Sequence, residues 1–336
     1  MTKLVELTLE VRDLRSYYFT PSGTVKAVDG VNFTVAPGEA LGIIGESGSG
    51  KSTISWSIMR SLPHPGKIVS GEILYDGKDI LGISMEEMRR IRWKKIAMIT
   101  QSAMNALDPL MRVGDQITEA ILVHEDVTKT AAVTRTMELL RQVGLDTFRF
   151  KYYPHELSGG TKQRLMIAMA LACQPGLIIS DEPTTALDVI VQAQILKLLD
   201  DLKSSMESTS IIFVSHDLSV VAELCDKIII MYGGKIMEYA ATEEILSNPL
   251  HPYTEALLES YPDIEKTQTR FQSIPGNPPD MLHLPKGCVF QPRCRYAMTV
   301  CTEETPELVD VGGGHFLACY LGQRVGLDGK RTNTES

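Results

Sequence analysis

The segment GESGSGKST, Gly45 to Thr53, follows directly on the apolar run Ala40 to Ile44 and constrains the fold more than any other stretch of the chain. It fits the pattern G-x-x-x-x-G-K-[ST] through Gly45, Gly50, Lys51 and Ser52. A strand that runs into a glycine-rich loop and then a helix makes a phosphate cradle. Gly45, Gly48 and Gly50, with Glu46, Ser47 and Ser49 among them, let backbone N–H groups wrap an anion. Lys51 is suited to neutralising β and γ oxygens, and the Ser52 hydroxyl to ligating Mg2+. From Ser52 and Thr53 to Met59 the sequence continues as a helix, whose positive end faces the anion.

A second apolar strand, in GLIISDEPTTALD, ends in Asp181 and Glu182. A carboxylate at the C-terminal end of a parallel strand suits Mg2+ through its water shell, and its neighbour can polarise an attacking water. A third strand, SIIFV, runs into Ser215 and His216, an imidazole able to contact a γ-phosphate. Ser158 is a good N-cap for the apolar helix after Gly159 and Gly160, which makes a second helix N-terminus suited to an anion.

At 336 residues the chain has room for one large and one small domain. An apolar fraction of 43% and a charged fraction of 22% argue for a folded chain and against disorder. The net charge of −9 disfavours nucleic acid as a partner. The opening MTKLVELTLEVRDL alternates polar and apolar residues, lacks the core of a signal peptide and reads as a first strand. Nowhere does an apolar run reach the ~18 residues that cross a bilayer. A reducing cytoplasm is the expected compartment, where clustered thiols more often bind metal than pair as disulfides.

Gly45 to Ser52, Gln101, LSGGTKQR, LIISDEP, TALD and SHD occur in the order and approximate spacing of an ABC-type ATPase cassette, which residues 1 to about 260 resemble. The resemblance implies an α/β fold: a P-loop, RecA-like cassette with an antiparallel β subdomain and a helical subdomain over about 102–170. It implies ATP and Mg2+ as ligands, with Ser52 and Gln101 on the metal, Glu182 as catalytic base and His216 as switch histidine. Ser158, Gly159 and Gly160 would close over the partner cassette's ATP, and Asp188 would communicate across the dimer. Tyr18 is placed like the aromatic that stacks on adenine, with Tyr17 and Phe19 as rivals. Thr161 departs from the glutamine usual in the signature. The helical subdomain is also marked by Val133, Met137 and Leu140 at helical spacing.

Beyond about residue 245 the composition changes, and Pro275, Pro278, Pro279 and Pro285 mark an irregular module. Cys288, Cys294, Cys301 and Cys319 are separated by five, six and seventeen residues, which matches neither the short chelate usual in structural zinc sites nor the common ferredoxin runs. Spacing leaves zinc and an iron–sulfur cluster both open. HPYTEALLES, IPGNPP, GCVFQPRC and HFLACYL resemble the C-terminal extension, here 261–336, of ATPases that drive oligopeptide and dipeptide importers. That resemblance implies a [4Fe-4S] cluster on the four cysteines. Cys173 and Cys225 are expected to be core thiols, and the final GLDGKRTNTES a frayed tail.

The reading is therefore an ATP-hydrolysing subunit, peripheral on the cytoplasmic face of the membrane. It would power import of peptides, or of nickel or oligosaccharides, through two separate permease subunits fed by a solute-binding protein. A related, non-identical chain would supply the second cassette. The rival is a soluble DNA-repair ATPase with structural zinc, against which the missing coiled-coil arm and acidic charge argue. A regulatory cassette without turnover is a third reading, weakened by the presence of Glu182.

Overall fold

The structure is a computed structural model and describes residues 7–101, 106–185, 187–206, 208–260 and 274–322. The chain divides into two compact bodies, each built from several stretches.

The first body takes in 34–39 and 74–214 with the start of the chain. Its centre is a parallel set of strands, Ile96–Ile99 beside Leu177–Asp181 beside Ser210–Ser215. Every residue of the first two is buried, as expected of short apolar strands covered on both faces. Helices Val113–His124 and Lys129–Gln142 form a hairpin joined inside by Thr118 Oγ1 and Thr136 Oγ1 at 3.0 Å. Helix Lys129–Gln142 lies where Val133, Met137 and Leu140 predict one, but its buried face is Ala132, Thr136, Leu139 and Leu140. Val133 and Met137 are only half-buried at its margin. Helix Gly159–Leu171 is buried throughout Leu165–Leu171, which explains the unbroken apolar sequence of that stretch.

The second body holds 11–33, 40–73 and the described residues from 215 onward. Strand Ala40–Ile44, wholly buried, pairs in parallel with Lys227–Tyr232, in register Leu41 with Lys227 through Ile44 with Ile230. Lys227–Tyr232 turns back antiparallel into Lys235–Ala241, which pairs in turn with the short strand Phe316–Leu317. The C-terminal segment is thus stitched to the sheet edge at Glu238 and Tyr239. Of the opening segment read as a first strand, residues 1–6 lie outside the described residues; a strand spans Leu9–Thr20 and lies between Gly23–Val35 and Gly66–Tyr75. The tail from Gly326 lies outside the described residues.

From 274 to 322 the chain is irregular. It contains a 3-10 turn Gln291–Arg293, a five-residue helix Thr299–Glu303 and two two-residue strands. Its packing centre is aromatic: Phe290 sits edge-on to Tyr232 at 5.2 Å and against Tyr253 at 5.2 Å, and these tyrosines meet at 4.8 Å. Each such pair contributes about 1 kcal/mol beyond its buried area, so three large rings replace the long apolar pattern this segment lacks. Among the described residues no helix is long and apolar enough to cross a membrane.

Candidate active site

The residues read from the sequence as a site fall in both bodies. In the second, strand Ala40–Ile44 delivers the chain into the loop, and helix Lys51–Ile58 starts at Gly50. Gly50 has φ 104° and supplies no side-chain cap, so the first N–H groups of this helix have no capping side chain. A Cβ on Gly50 would lie 2.0 Å from Ala27 O, and one on Gly45 would lie 2.2 Å from Met231 O. Only glycine fits where the loop presses this closely on neighbouring backbone. Lys51 Nζ donates to Gly45 O at 2.7 Å and Glu46 O at 3.0 Å, which folds the loop around its ammonium. Among the described residues Ser49 Oγ is buried and has no hydrogen-bond partner, a polar atom inside the cradle that an anionic ligand's shell would satisfy.

The three aromatic candidates near residue 18 have different surroundings. Tyr17 is committed, its hydroxyl donating to Asp29 at 2.6 Å; burial and that bond push its pKa up to about 12. Phe19 is 46% exposed beside Lys67. Tyr18 shares the strand face of Leu14 and Ser16, and Ser16 Oγ meets Ser57 Oγ of the helix after the loop at 2.8 Å. His216 is exposed, just past the strand Ser210–Ser215.

In the first body, Asp181 ends its strand buried and Glu182 follows with φ 46°, a left-handed conformation that a non-glycine residue adopts at a cost. Gln101 Nε2 and Thr185 Oγ1 both donate to Glu182 Oε2, at 2.8 and 3.0 Å, while the Glu182 N–H is held by Val214 O. The Gln101 and Glu182 of the sequence reading are therefore brought together, and Thr185 is a partner it missed. Ser158 is the N-cap expected of it, accepting from Thr161 N–H. The unusual Thr161 adds a hydroxyl 2.9 Å from Ser158 Oγ. Asp188 caps helix Val189–Ser205 through Val191 N–H.

The four C-terminal cysteines lie in the second body. Cys288 and Cys301 are buried, Cys294 and Cys319 half-buried, and Cys288 N–H donates to Cys301 O at 2.9 Å. Cys288 feels the charge of the other three thiols, Cys294 that of Cys301 and Cys319, and Cys319 that of Cys301. Burial pushes Cys288 and Cys294 up to about 11 and Cys319 upward, against N–H groups of Phe290, Tyr296, Leu321 and Gly322 that point at the sulfurs. Among the described residues no group of three or more His, Cys, Asp or Glu side chains is arranged to hold a metal ion. The donor chemistry suits a thiolate-bound centre; these sulfur positions do not by themselves form one. Cys173 and Cys225 are buried, as expected.

Two family descriptions match the chain: ABC transporter over residues 28–185, and oligopeptide/dipeptide transporter, C-terminal region, over 237–301. The chain is 46% identical to the oligopeptide transport ATP-binding protein OppD of Salmonella typhimurium, over 93% of each chain. It is 42% identical to the dipeptide transport ATP-binding protein DppD of Caldanaerobacter subterraneus, over 94% of this chain and 98% of that one. Among solved structures it resembles the ATP-binding cassette MJ0796 in a dimeric post-hydrolysis state bound to ADP and Pi, with TM-score 0.63, 27% identity, and coverage of 70% of this chain and 98% of that one.

The family matches and the fold shared with MJ0796 make the chain an ATP-hydrolysing cassette of the ABC class. Within that class the chain belongs to the ATP-binding subunits of oligopeptide and dipeptide ABC importers, and the DNA-repair reading finds no support.

Proposed function

We propose that the chain powers uptake of peptides through separate permease subunits, by hydrolysing ATP between its own phosphate loop and the signature of a second, related cassette. The observation that carries this reading is Glu182, turned into a left-handed backbone and held by Gln101 and Thr185. That carboxylate polarises the water that attacks the γ-phosphate in line, releasing ADP and phosphate. Lys51 offsets charge on the phosphates, as does the partner's counterpart of Ser158, Gly159 and Gly160. Ser52, Gln101 and Asp181 carry hard oxygen donors of the kind Mg2+ takes; when bound, the ion neutralises charge on the β and γ oxygens. Tyr18 stacks on adenine, His216 contacts the γ-phosphate and Asp188 links the two sites. The cassette occupies residues to about 260 and the importer-type extension the remainder.

The permeases place the chain on the cytoplasmic face of the membrane and receive cargo from an extracytoplasmic solute-binding protein. In the extension, Cys288, Cys294, Cys301 and Cys319 hold a [4Fe-4S] cluster. The influence of the other three cysteines on Cys288 and the N–H groups aimed at three of the sulfurs support this. When bound, such a group cross-links four points of a segment with little apolar core.

The test is reconstitution with peptide-importer permease subunits, a second cassette and a solute-binding protein. Peptide uptake that requires ATP and is lost in Glu182→Gln supports the proposal. Uptake of nickel or oligosaccharide alone would replace peptide as cargo, and ATPase stimulation by DNA instead of by permeases would overturn the reading.

A further inference from the structure

Arg293 ends the 3-10 turn Gln291–Arg293, one residue before Cys294, yet its guanidinium is spent on the phosphate loop. Nη1 donates to Glu46 Oε2 at 2.6 Å and Nη2 to Glu46 Oε1 at 3.0 Å, a two-bond fork on the second residue of the loop. The other N–H groups are used as well: Nε on Pro275 O at 2.7 Å, Nη1 on Tyr232 Oη at 3.1 Å, Nη2 on Ile274 O at 3.4 Å. A guanidinium has five N–H donors, and each has an acceptor here, which the three donors of lysine cannot reproduce. The arginine side chain is 7% exposed and the glutamate 23%, so this pair is shielded far better than a surface ion pair.

Glu46 is gripped from both sides. Its backbone N–H donates to Tyr253 Oη at 3.0 Å, and Tyr253 packs on Tyr232, over whose ring the Arg293 guanidinium lies at 5.7 Å. The loop is anchored once more where Gly234 N–H donates to Ser49 O. A carboxylate inside a loop that must receive a triphosphate is a liability unless its charge is cancelled. A loop fixed beforehand loses less freedom when the ligand arrives.

We propose that Arg293 is a positioning residue for nucleotide: through its fork on Glu46 it holds the phosphate loop in binding-ready form and cancels the repulsion between that carboxylate and the triphosphate. This rests on Gly45 to Ser52 being the ATP site. It also ties nucleotide affinity to the C-terminal segment, because the arginine belongs to one and acts on the other.

Affinity of the full-length chain for a fluorescent ATP analogue, measured across a charge cycle, tests it. Arg293→Gln is expected to weaken binding by about tenfold, the scale of a lost charge-assisted hydrogen bond. Adding Glu46→Gln to that background is expected to recover much of the loss, because the unpaired carboxylate is gone; a residue that merely holds the fold together gives no such rescue. Glu46→Gln alone is expected to bind more weakly than wild type, and serves if Arg293→Gln does not fold. Wild-type affinity in Arg293→Gln, no rescue in the double variant, or wild-type affinity in Glu46→Gln overturns the proposal. Lys51→Ala separates the two layers. If it loses ATP while the Arg293 and Glu46 variants keep it, this inference alone fails; if Lys51→Ala itself keeps wild-type affinity, the ATP-site reading beneath it fails.

Discussion

Gln101 Nε2 lies 2.8 Å from Glu182 Oε2, a bond that spans 81 residues and joins a glutamine just past one strand to the acid at the end of its neighbour. The neutral amide orients the carboxylate without bringing a charge of its own to it.

Glu182→Gln preserves the shape at this position and removes the base. Hydrolysis is expected to fall by ~10²-fold or more, the usual contribution of a positioned base, while ATP binding persists. Single-turnover hydrolysis alongside equilibrium binding measures both; turnover at the wild-type rate would exclude Glu182 as the base.

Gly50→Ala tests the cradle from its backbone. The new Cβ would meet Ala27 O at 2.0 Å, and the residue would have to hold φ 104°. Left-handed backbone costs an L-residue about 1–2 kcal/mol, and the contact forces the loop away from Ala27. The expected result is a chain with native circular dichroism that no longer binds ATP. Unchanged affinity would mean that the loop geometry does not matter for the ligand.

What the sequence made legible follows from how local each feature is. Ala40–Ile44 and Leu177–Asp181 are short apolar runs buried on both faces, and Ser158 caps the helix that starts beside it by accepting from Thr161 N–H; neighbours in sequence decide all of these. Helix Lys129–Gln142 was legible as a helix, but its buried face was not, because Thr136 is fully buried through its bond to Thr118 on another helix. That Tyr17 is tied to Asp29, 12 residues on, is likewise not revealed by local pattern. The Arg293–Glu46 fork spans 247 residues, and the arginine in FQPRC looks like any surface cation until it is folded.

His251 makes stability depend on pH. Fully buried, its imidazole is pulled down to about 4, mainly by burial, against the pull of Glu238. Its Nδ1 accepts from Tyr253 N–H at 2.9 Å, which requires that nitrogen to be unprotonated. Because the folded value lies below the unfolded one, the unfolded chain binds more protons between about pH 6.5 and pH 4, so stability falls as pH drops through that window. The loss is roughly 2 kcal/mol between pH 7.5 and pH 5. Urea midpoints at those two pH values are expected to differ more for wild type than for His251→Asn, whose amide oxygen can still accept from Tyr253. Equal pH sensitivity in both would remove His251 as the cause.

The four cysteines give the last prediction. Burial holds Cys288 and Cys294 near 11, so at neutral pH these thiols carry protons that a metal centre must displace. The N–H groups of Phe290, Tyr296, Leu321 and Gly322, aimed at three of the sulfurs, favour the thiolate once it forms. If the four cysteines hold the proposed cluster, protein prepared without oxygen is expected to be brown, to absorb broadly near ~400 nm and to carry about four irons per chain. Cys294→Ser is expected to lose colour and iron, and to loosen the segment around Phe290 so that proteases cut there first. ATP binding in that variant is a separate readout, because Arg293 adjoins Cys294 and grips Glu46. Stoichiometric zinc with no iron under strict anaerobic conditions would exclude the cluster while keeping a four-thiol site, and a chain with neither metal would leave the four cysteines as unligated thiols.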